Sequence, residues 1–222
     1  MKIKFILPLI LFPFLSFSQF TEKKVYNIKK TNIKPKIDGV INDVVWKNIN
    51  VANNFTQFKP NNGLLERSTH KTEVKICYDD KNIYFGVIAH DNAPDSILKE
   101  LGKRDDDNKN FDLIGILLDP FNNTQVEYNF LVTASGVQID KKMSKNGGDK
   151  SWNAVWKSAI DINDRGWSAE IAIPFSQIRF PDNNSTWALN MFRNIRRYRE
   201  EYSWNPIDVK FENFALQSGL LD

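Results

Sequence analysis

The sequence predicts an all-β protein, an antiparallel β-sandwich with short helical turns. Apolar and polar residues alternate in several segments, such as Val74–Tyr78 and Val126–Val132, as they do in strands with one buried face. Clusters of Gly, Asn, Asp and Pro separate these segments at intervals of about 8–12 residues, and no helical pattern exceeds about ten residues. With 222 residues, the chain is long enough to bury a large core.

The clearest element is a hairpin that spans much of residues 151–181. Its first strand runs through Ala159–Ile162 into the turn Asn163–Gly166. Its second strand is expected to end at Pro174, which cannot donate a ladder hydrogen bond, and a short helical turn is expected at Phe175–Ile178. The apolar face of the second strand consists of Trp167, Ala169, Ile171 and Ile173.

The same alternation predicts the other strands. Val74–Tyr78 and Ile83–Ala89 form a second hairpin, and four more strands follow, of which the last is the final strong strand of the chain. These four are Leu113–Leu118, Val126–Val132, Val137–Lys141 and Trp187–Met191. Asn42 is expected to cap a helical turn that places Trp46 inside, and residues 146–149 are expected to be a loop.

The N-terminus has the pattern of an export signal. Residues 1–18 contain a positive start, an apolar run too short to span a bilayer and a small-residue cleavage pattern at Ser16–Ser18. We therefore expect an exported protein of the periplasm, the cell surface or the medium, without a transmembrane segment after cleavage. Loss of Lys2 and Lys4 lowers the net charge from +3 to +1, which gives no electrostatic reason to expect a nucleic acid partner. Cys77, the one cysteine, is expected to be a buried apolar group.

Several sequence blocks, in this order and spacing, resemble carbohydrate-binding module family 9. The blocks are Lys36–Gly39 with Asp43 and Trp46, Tyr78–Asp80 with Ile83–Gly86, Phe111-Asp112, Leu118–Pro120, and Gly166-Trp167 with Glu170 and Ile173–Phe175. The resemblance implies a β-sandwich fold, a sugar ligand and, in some members, bound calcium. It covers nearly all of the chain that follows the signal.

A narrower resemblance is to the N-terminal module of large exported bacterial proteins with an uncharacterised C-terminal region. It is carried by Arg104–Asp106, Arg179–Pro181, Arg193–Arg197 and Ser203–Pro206. We therefore expect a signal at 1–18, a lead-in at 19–32, the family 9-like domain at 33–206, and at 207–222 a tail or the start of a missing C-terminal region. An outer-membrane partner is a further expectation.

Aromatic and arginine side chains are the candidates for sugar recognition. Aromatic faces stack on the apolar faces of sugar rings, and paired hydrogen-bond donors recognise hydroxyl groups. Trp152 and Trp156 lie beside a polar Gly-Gly loop, so we predict that they form an exposed platform, with Arg104 and Arg193 as donors. The alternatives are core packing for the tryptophans and ion pairs with aspartates for the arginines.

A cluster of oxygen-bearing side chains suits a calcium ion. Asp105, Asp107 and Asp112 lie close together in sequence, and Asp119 follows one strand later, so these four are the candidate ligands. The segment is not an EF-hand, because Ile116 stands where the bidentate glutamate is required. A solvated acidic loop is the alternative.

The sequence carries no recognisable catalytic motif. Glu127 and Glu170 are the one pair of carboxylates considered for glycoside hydrolysis, and their separation decides whether they form a pair. We therefore predict non-catalytic glycan binding, linked to carbohydrate catabolism. A structural domain without a sugar site is the alternative, and glycoside hydrolase activity is the least favoured reading.

Overall fold

The protein is an all-β sandwich of two facing sheets, as predicted. The computed structural model describes residues 22–145, 147–149, 151–182 and 186–222. Within them the strands are β1 (Val25–Tyr26), β2 (Lys29–Lys30), β3 (Val51–Ala52), β4 (Thr56–Lys59), β5 (Thr72–Tyr78), β6 (Asn82–His90), β7 (Leu113–Asp119), β8 (Val126–Thr133), β9 (Gln138–Ser144), β10 (Gly147–Asp149), β11 (Lys157–Asn163), β12 (Gly166–Pro174), β13 (Trp187–Ile195), β14 (Glu200–Ser203) and β15 (Gly219–Leu221). The helical segments are short 3-10 turns at Val44–Asn48, Ser68–His70, Pro94–Ser96, Phe175–Gln177, Arg196–Tyr198 and Phe214–Gln217.

The strands form a larger and a smaller sheet. The larger sheet has the order β1-β15-β13-β7-β8-β9-β10, with β14 and β4 extending from β13. The smaller sheet has the order β11-β12-β6-β5-β2, with β3 also paired to β5. Most pairs are antiparallel, but β1 pairs with β15, and β2 with β5, in parallel. No helix in the described residues is long and apolar enough to cross a membrane.

The core lies between the two sheets. Alternate residues of the central strands, such as Ile76 on β5, Phe85 on β6, Ile116 on β7 and Phe130 on β8, are completely buried there. The opposite residues of the same strands point to the outer faces, because side chains alternate along a strand. The free cysteine, Cys77, is buried as expected.

The main hairpins and their turns lie where they were predicted. Asn163 pairs with Gly166 at the turn between β11 and β12, and β12 ends at Pro174 before the 3-10 turn Phe175–Gln177. The helical turn Val44–Asn48 is present and buries Trp46, as predicted. Its N-cap is Asp43, which makes no side-chain capping bond, so the predicted cap at Asn42 is wrong.

The sandwich extends beyond the predicted range of 33–206. Strand β15 lies between β1 and β13, and Leu221 belongs to the core, so the segment 207–222, predicted as a tail, ends in a strand of the sheet. The lead-in also contributes β1 and β2, and the predicted loop at 146–149 contains β10. These strands have two or three residues each, too few for alternation to be visible. Residues 1–18 and Asn146 lie outside the described part of the chain.

Much of the sequence motif around Asp38-Gly39 is structural. The buried Glu170 carboxylate accepts hydrogen bonds from the backbone N–H groups of Asp38 and Gly39, at 2.9 and 3.1 Å. It also accepts one from Trp46 Nε1 at 2.8 Å. Gly39 has φ of +92°, and a Cβ there would lie 2.4 Å from the carbonyl carbon of Ile160, so only glycine fits. The motif therefore fastens the 36–48 segment to the outer face of the smaller sheet.

Candidate functional site

The structure places Trp156 in the core, so the predicted exposed platform is wrong for this residue. Its exposed fraction is 6%, and its ring lies 5.5 Å from that of Phe130 in an edge-on contact. Its Nε1 donates a hydrogen bond to Asp140 Oδ1 at 3.1 Å. Both the ring faces and the polar atom are thus engaged within the protein.

Trp152 is half-buried and packs against the same core. Its ring lies 5.3 Å from that of Tyr128 and 5.8 Å from that of Phe130. The other tryptophans, Trp46, Trp167, Trp187 and Trp204, are buried. A neighbouring Gly-Gly loop does not expose a ring when the adjacent strand supplies aromatic contacts, so Trp152 is partly covered rather than fully exposed.

The two candidate arginines serve the fold. Arg104 pairs with the buried carboxylate of Asp140 and donates to the carbonyl oxygen of Ala154 at 2.8 Å. Arg193 is completely buried on β13, and its Nη1 and Nη2 donate to the carbonyl oxygens of His70 and His90 at 2.8 and 2.7 Å. Since His70 and His90 belong to the smaller-sheet side, Arg193 joins the two sheets instead of facing a ligand.

The four candidate calcium ligands each have a partner within the protein. Asp105 accepts a hydrogen bond from the backbone N–H of Asp140, and Asp107 pairs with Lys141. Asp112 is completely buried and accepts from the backbone N–H of Arg196 at 2.9 Å. Asp119 accepts from the N–H groups of residues 121, 123 and 124, and so closes the turn after β7.

The fold separates two of these aspartates. Asp112 precedes β7 and Asp119 ends it, so a whole strand of about 3.3 Å per residue keeps them too far apart for one ion. Among the described residues, no three His, Cys, Asp or Glu side chains are grouped as metal ligands would be. The four aspartates therefore cannot all bind one calcium ion. Calcium binding near Asp105 and Asp107 stays a prediction.

One candidate surface for a ligand lies on the outer face of the larger sheet. A cavity of about 300 Å³ there, which we call the outer-face groove, is lined among others by Leu117, Glu127, Asn129, Met143, Phe192 and Phe214. These residues come from β7, β8, β9, β13 and the 3-10 turn Phe214–Gln217. The segment after residue 206 thus supplies one wall.

The strand register explains why these side chains meet. Glu127 is paired with Met143, and Asn129 with Leu117, so the four side chains lie on one face of three adjacent strands. Tyr128, between Glu127 and Asn129, faces the core instead. The sequence signal for this groove is the alternation along β8, which places polar residues on one face and aromatic residues on the other.

The outer face of the larger sheet contains polar groups that the protein itself does not satisfy. The Oδ1 atoms of Asn129 and Asn194, both on outer-face positions, are buried and accept no hydrogen bond. Burial raises the pKa of Glu127 to about 7, and the side chain of Asn129 only partly offsets this shift. Buried polar atoms of native proteins nearly always have a partner, so these groups call for water or a ligand.

A second cavity of about 240 Å³ lies further along the same face. Its lining includes Phe111, Leu113, Asn194 and Arg196. Leu113 and Asn194 are paired across β7 and β13, the same two strands that carry Leu117 and Phe192 of the groove. We call this the Asn194 cavity.

The groove can bind a molecule that is apolar on one side and hydroxylated on another. Phe192 and Phe214 both pack edge-on against Phe58, at 5.6 and 6.4 Å between ring centroids, and Phe214 is 38% exposed. Glu127 and Asn129 supply acceptors for hydroxyl protons, and Lys145 supplies a donor. This combination of apolar lining and a few polar groups is usual for small-molecule sites.

The carboxylates considered for glycoside hydrolysis do not form a pair. Glu127 lies on the outer face of the larger sheet, and Glu170 on the outer face of the smaller sheet beneath Trp46. The core, about 10 Å thick, and both sheets separate them. Such a separation exceeds the distances of roughly 5–9.5 Å found in glycosidase carboxylate pairs.

Comparison with known proteins supports a relationship over most of the chain. The family described as carbohydrate family 9 binding domain-like matches residues 37–203. No curated protein matches the chain at a significant level.

Three solved structures share the fold. A carbohydrate binding module family 9 from Caldicellulosiruptor kristjanssonii, in complex with cellotriose, has a TM-score of 0.62 and 16% identity, covering 90% of this chain and 93% of that chain. The same kind of module in complex with glucose has a TM-score of 0.65 and 14% identity, covering 90% and 95%. A candidate carbohydrate-binding protein from Bacteroides uniformis has a TM-score of 0.69 and 14% identity, covering 90% and 99%. At these identities the likeness concerns the fold.

Proposed function

Since the chain belongs to the carbohydrate family 9 binding domain-like family, we propose that it binds a carbohydrate in the outer-face groove and catalyses no reaction there. The observation that carries this proposal is the buried, unpartnered acceptor of Asn129 beside the partly exposed Phe214 in the groove. Sugar hydroxyl groups donate to such oxygens, while the apolar faces of the sugar ring pack on aromatic side chains.

The ligands of the structural neighbours agree with this class of ligand. The module from Caldicellulosiruptor kristjanssonii was solved with cellotriose and with glucose, both neutral sugars. Glu127 and the Oδ1 atom of Asn129 accept hydrogen bonds from hydroxyl groups, which a neutral sugar supplies.

The proposed cellular location follows from the sequence. The signal pattern at residues 1–18 supports export to the periplasm, the cell surface or the medium. An exported sugar-binding module serves carbohydrate catabolism by holding its polysaccharide near the cell or near an attached enzyme. This role stands on the family relationship and the signal pattern.

A glycan array with the folded protein tests the proposal. We expect binding to a neutral oligosaccharide that Glu127→Ala and Phe214→Ala each weaken by tenfold or more, with little change in melting temperature. Val155→Ala is the matched control, because Val155 is an exposed apolar residue (75%) outside the groove. Equal binding by wild-type protein and all three variants would show that the sugar binds outside the outer-face groove.

A structural role without a sugar ligand is the second candidate. The observation in its favour is the burial of five of the six tryptophans, all but the half-buried Trp152. An array without any binding, together with an unchanged fold, would favour this role and refute the sugar site.

A further inference from the structure

We infer that an ordered water molecule, buried between the two sheets, bridges the carboxylates of Asp91 and Asp112 to the guanidinium groups of Arg193 and Arg197. We call these four side chains the charge cluster. This water site is independent of the proposed sugar site. It follows from where the fold places the four side chains, how deeply they are buried and which of their atoms have no hydrogen bond.

The fold brings the charge cluster together at one end of the sandwich. Its members lie at strand ends: Asp91 directly after β6, Asp112 directly before β7, Arg193 near the end of β13, and Arg197 in the 3-10 turn after β13. Since β7 and β13 are antiparallel neighbours, the start of β7 lies beside the end of β13. Arg193 crosses from there to the carbonyl oxygen of His90, at 2.7 Å, so the end of β6 faces the same place.

Each of the four side chains has one buried polar atom that makes no hydrogen bond within the described part of the chain. Asp91 Oδ1 accepts from Arg197 Nη2 at 2.7 Å, and Asp112 Oδ1 accepts from the backbone N–H of Arg196 at 2.9 Å. The atoms without a partner are Asp91 Oδ2, Asp112 Oδ2, Arg193 Nε and Arg197 Nη1. Asp91, Asp112 and Arg193 are 2% exposed or less, so bulk solvent does not supply the missing bonds.

The four atoms match the hydrogen-bonding capacity of one water molecule. A water donates two protons, which the two Oδ2 atoms accept, and it accepts two, which Arg193 Nε and Arg197 Nη1 donate. Asp112 is close enough to both arginines for their charges to act on it, yet its Oδ2 atom bonds to neither. Buried waters typically make about three hydrogen bonds to buried polar groups of this kind. A bridging water therefore supplies the contacts that the side chains do not make directly.

The charges of the cluster favour a neutral occupant. Two carboxylates and two guanidinium groups balance one another, so the cluster offers no net charge to a metal ion or to an anion. A cation would also meet the N–H groups of the arginines, and an anion would meet the carboxylate oxygens. Water alone among small solvent species both donates and accepts without bringing a charge.

The water also has a structural consequence for the Asn194 cavity. Arg196 lines this cavity, and its backbone N–H is held by Asp112. With one oxygen bound to Arg196 and the other to the water, the Asp112 carboxylate has a single orientation. It then fixes the start of β7 to the turn after β13.

A high-resolution crystal structure of the protein tests the water site directly. We expect a peak of electron density within about 3.2 Å of at least three of the four unpartnered atoms, with the height of a water. Direct hydrogen bonds among the four side chains, with no peak between them, would overturn the inference. Contacts to fewer than three of the atoms, or a peak with the height of an ion, would overturn it as well.

NMR of the protein in solution tests how long the water stays bound. The backbone N–H of Ala93 donates to Asp91 Oδ1 at 2.8 Å, and that of Arg196 donates to Asp112 Oδ1. Both amide protons therefore lie beside the proposed water. We expect nuclear Overhauser contacts between water and these two amides, with the sign that marks a long-lived water.

The Ala154 amide is the matched control in the same protein. It donates to Asp140 Oδ2 at 2.8 Å, and Asp140 Oδ1 already accepts from Trp156 Nε1. This buried carboxylate has both oxygens bound by the protein, so we expect no such contact at Ala154. No contact at Ala93 and Arg196, or equal contacts at all three amides, would overturn the inference.

Discussion

Replacement of Glu127 by glutamine is expected to stabilise the protein at alkaline pH. Glu127 is half-buried in the outer-face groove, and burial raises its pKa from 4.5 to about 7. Between these two values the folded protein keeps a proton that the unfolded chain releases. The free energy of unfolding of the wild type therefore falls as pH rises from about 4.5 to 7, and the loss is complete above pH 7.

The size of the effect follows from the shift. One pKa unit corresponds to about 1.36 kcal/mol, so a shift from 4.5 to about 7 gives an upper limit of about 3 kcal/mol. Water still reaches the half-buried side chain and screens its charge, so we expect about 1–2 kcal/mol. Glutamine has the same shape without the charge, and Glu127→Gln should recover this amount at pH 8 and nothing at pH 4.

Urea unfolding at pH 4 and pH 8, with constant m-values, measures the effect. Glu170→Gln is the matched control, because burial also raises the pKa of Glu170 but its carboxylate accepts three N–H donors. The amide nitrogen of the new glutamine must face one of those donors. The free energy of unfolding of this variant should therefore fall by about 1–3 kcal/mol at pH 8. The reasoning fails if Glu127→Gln is less stable than wild type at pH 8, or equally stabilised at both pH values.

Three further predictions follow from the structure. Removal of residues 207–222 should abolish cooperative unfolding in a urea titration, because β15 lies between β1 and β13; an unchanged midpoint would show that this strand is dispensable. Trp156→Ala should lose about 3–5 kcal/mol of stability, since the ring is buried against Phe130; a loss below 1 kcal/mol, measured in urea, would contradict its place in the core. Calcium bound near Asp105 and Asp107 would add about 2.7 kcal/mol of stability at a hundredfold excess over its Kd, and equal melting temperatures in chelator and in millimolar calcium would refute that site.

The fold could be predicted well from the sequence wherever strands were long. β5, β6, β8 and β12 show a clear period of two, and glycine or aspartate turns delimit them. The strands that were missed, such as β1 and β15, are held by pairing with distant segments, which alternation within two or three residues cannot reveal.

The candidate site was harder to predict, for a physical reason. Exposure of Trp152 and Trp156 depends on what the opposite strand provides, and β8 provides Tyr128 and Phe130. From the sequence, Arg193 was expected to donate to a sugar or to pair with an aspartate, but its partners are backbone carbonyl groups on the side of the smaller sheet. Glu127 was recognisable as a polar residue on a strand, but its neighbours across the sheet were not.

The most direct test of the account maps the bound sugar by NMR. The isotope-labelled protein is titrated with the oligosaccharide that binds best on the array, and amide and side-chain shifts are followed. We predict that the largest changes occur at Leu117, Glu127, Asn129, Phe192 and Phe214, with the indole signals of Trp152 and Trp156 nearly unchanged. Saturable shifts centred on those two tryptophans, with none in the outer-face groove, would contradict the account.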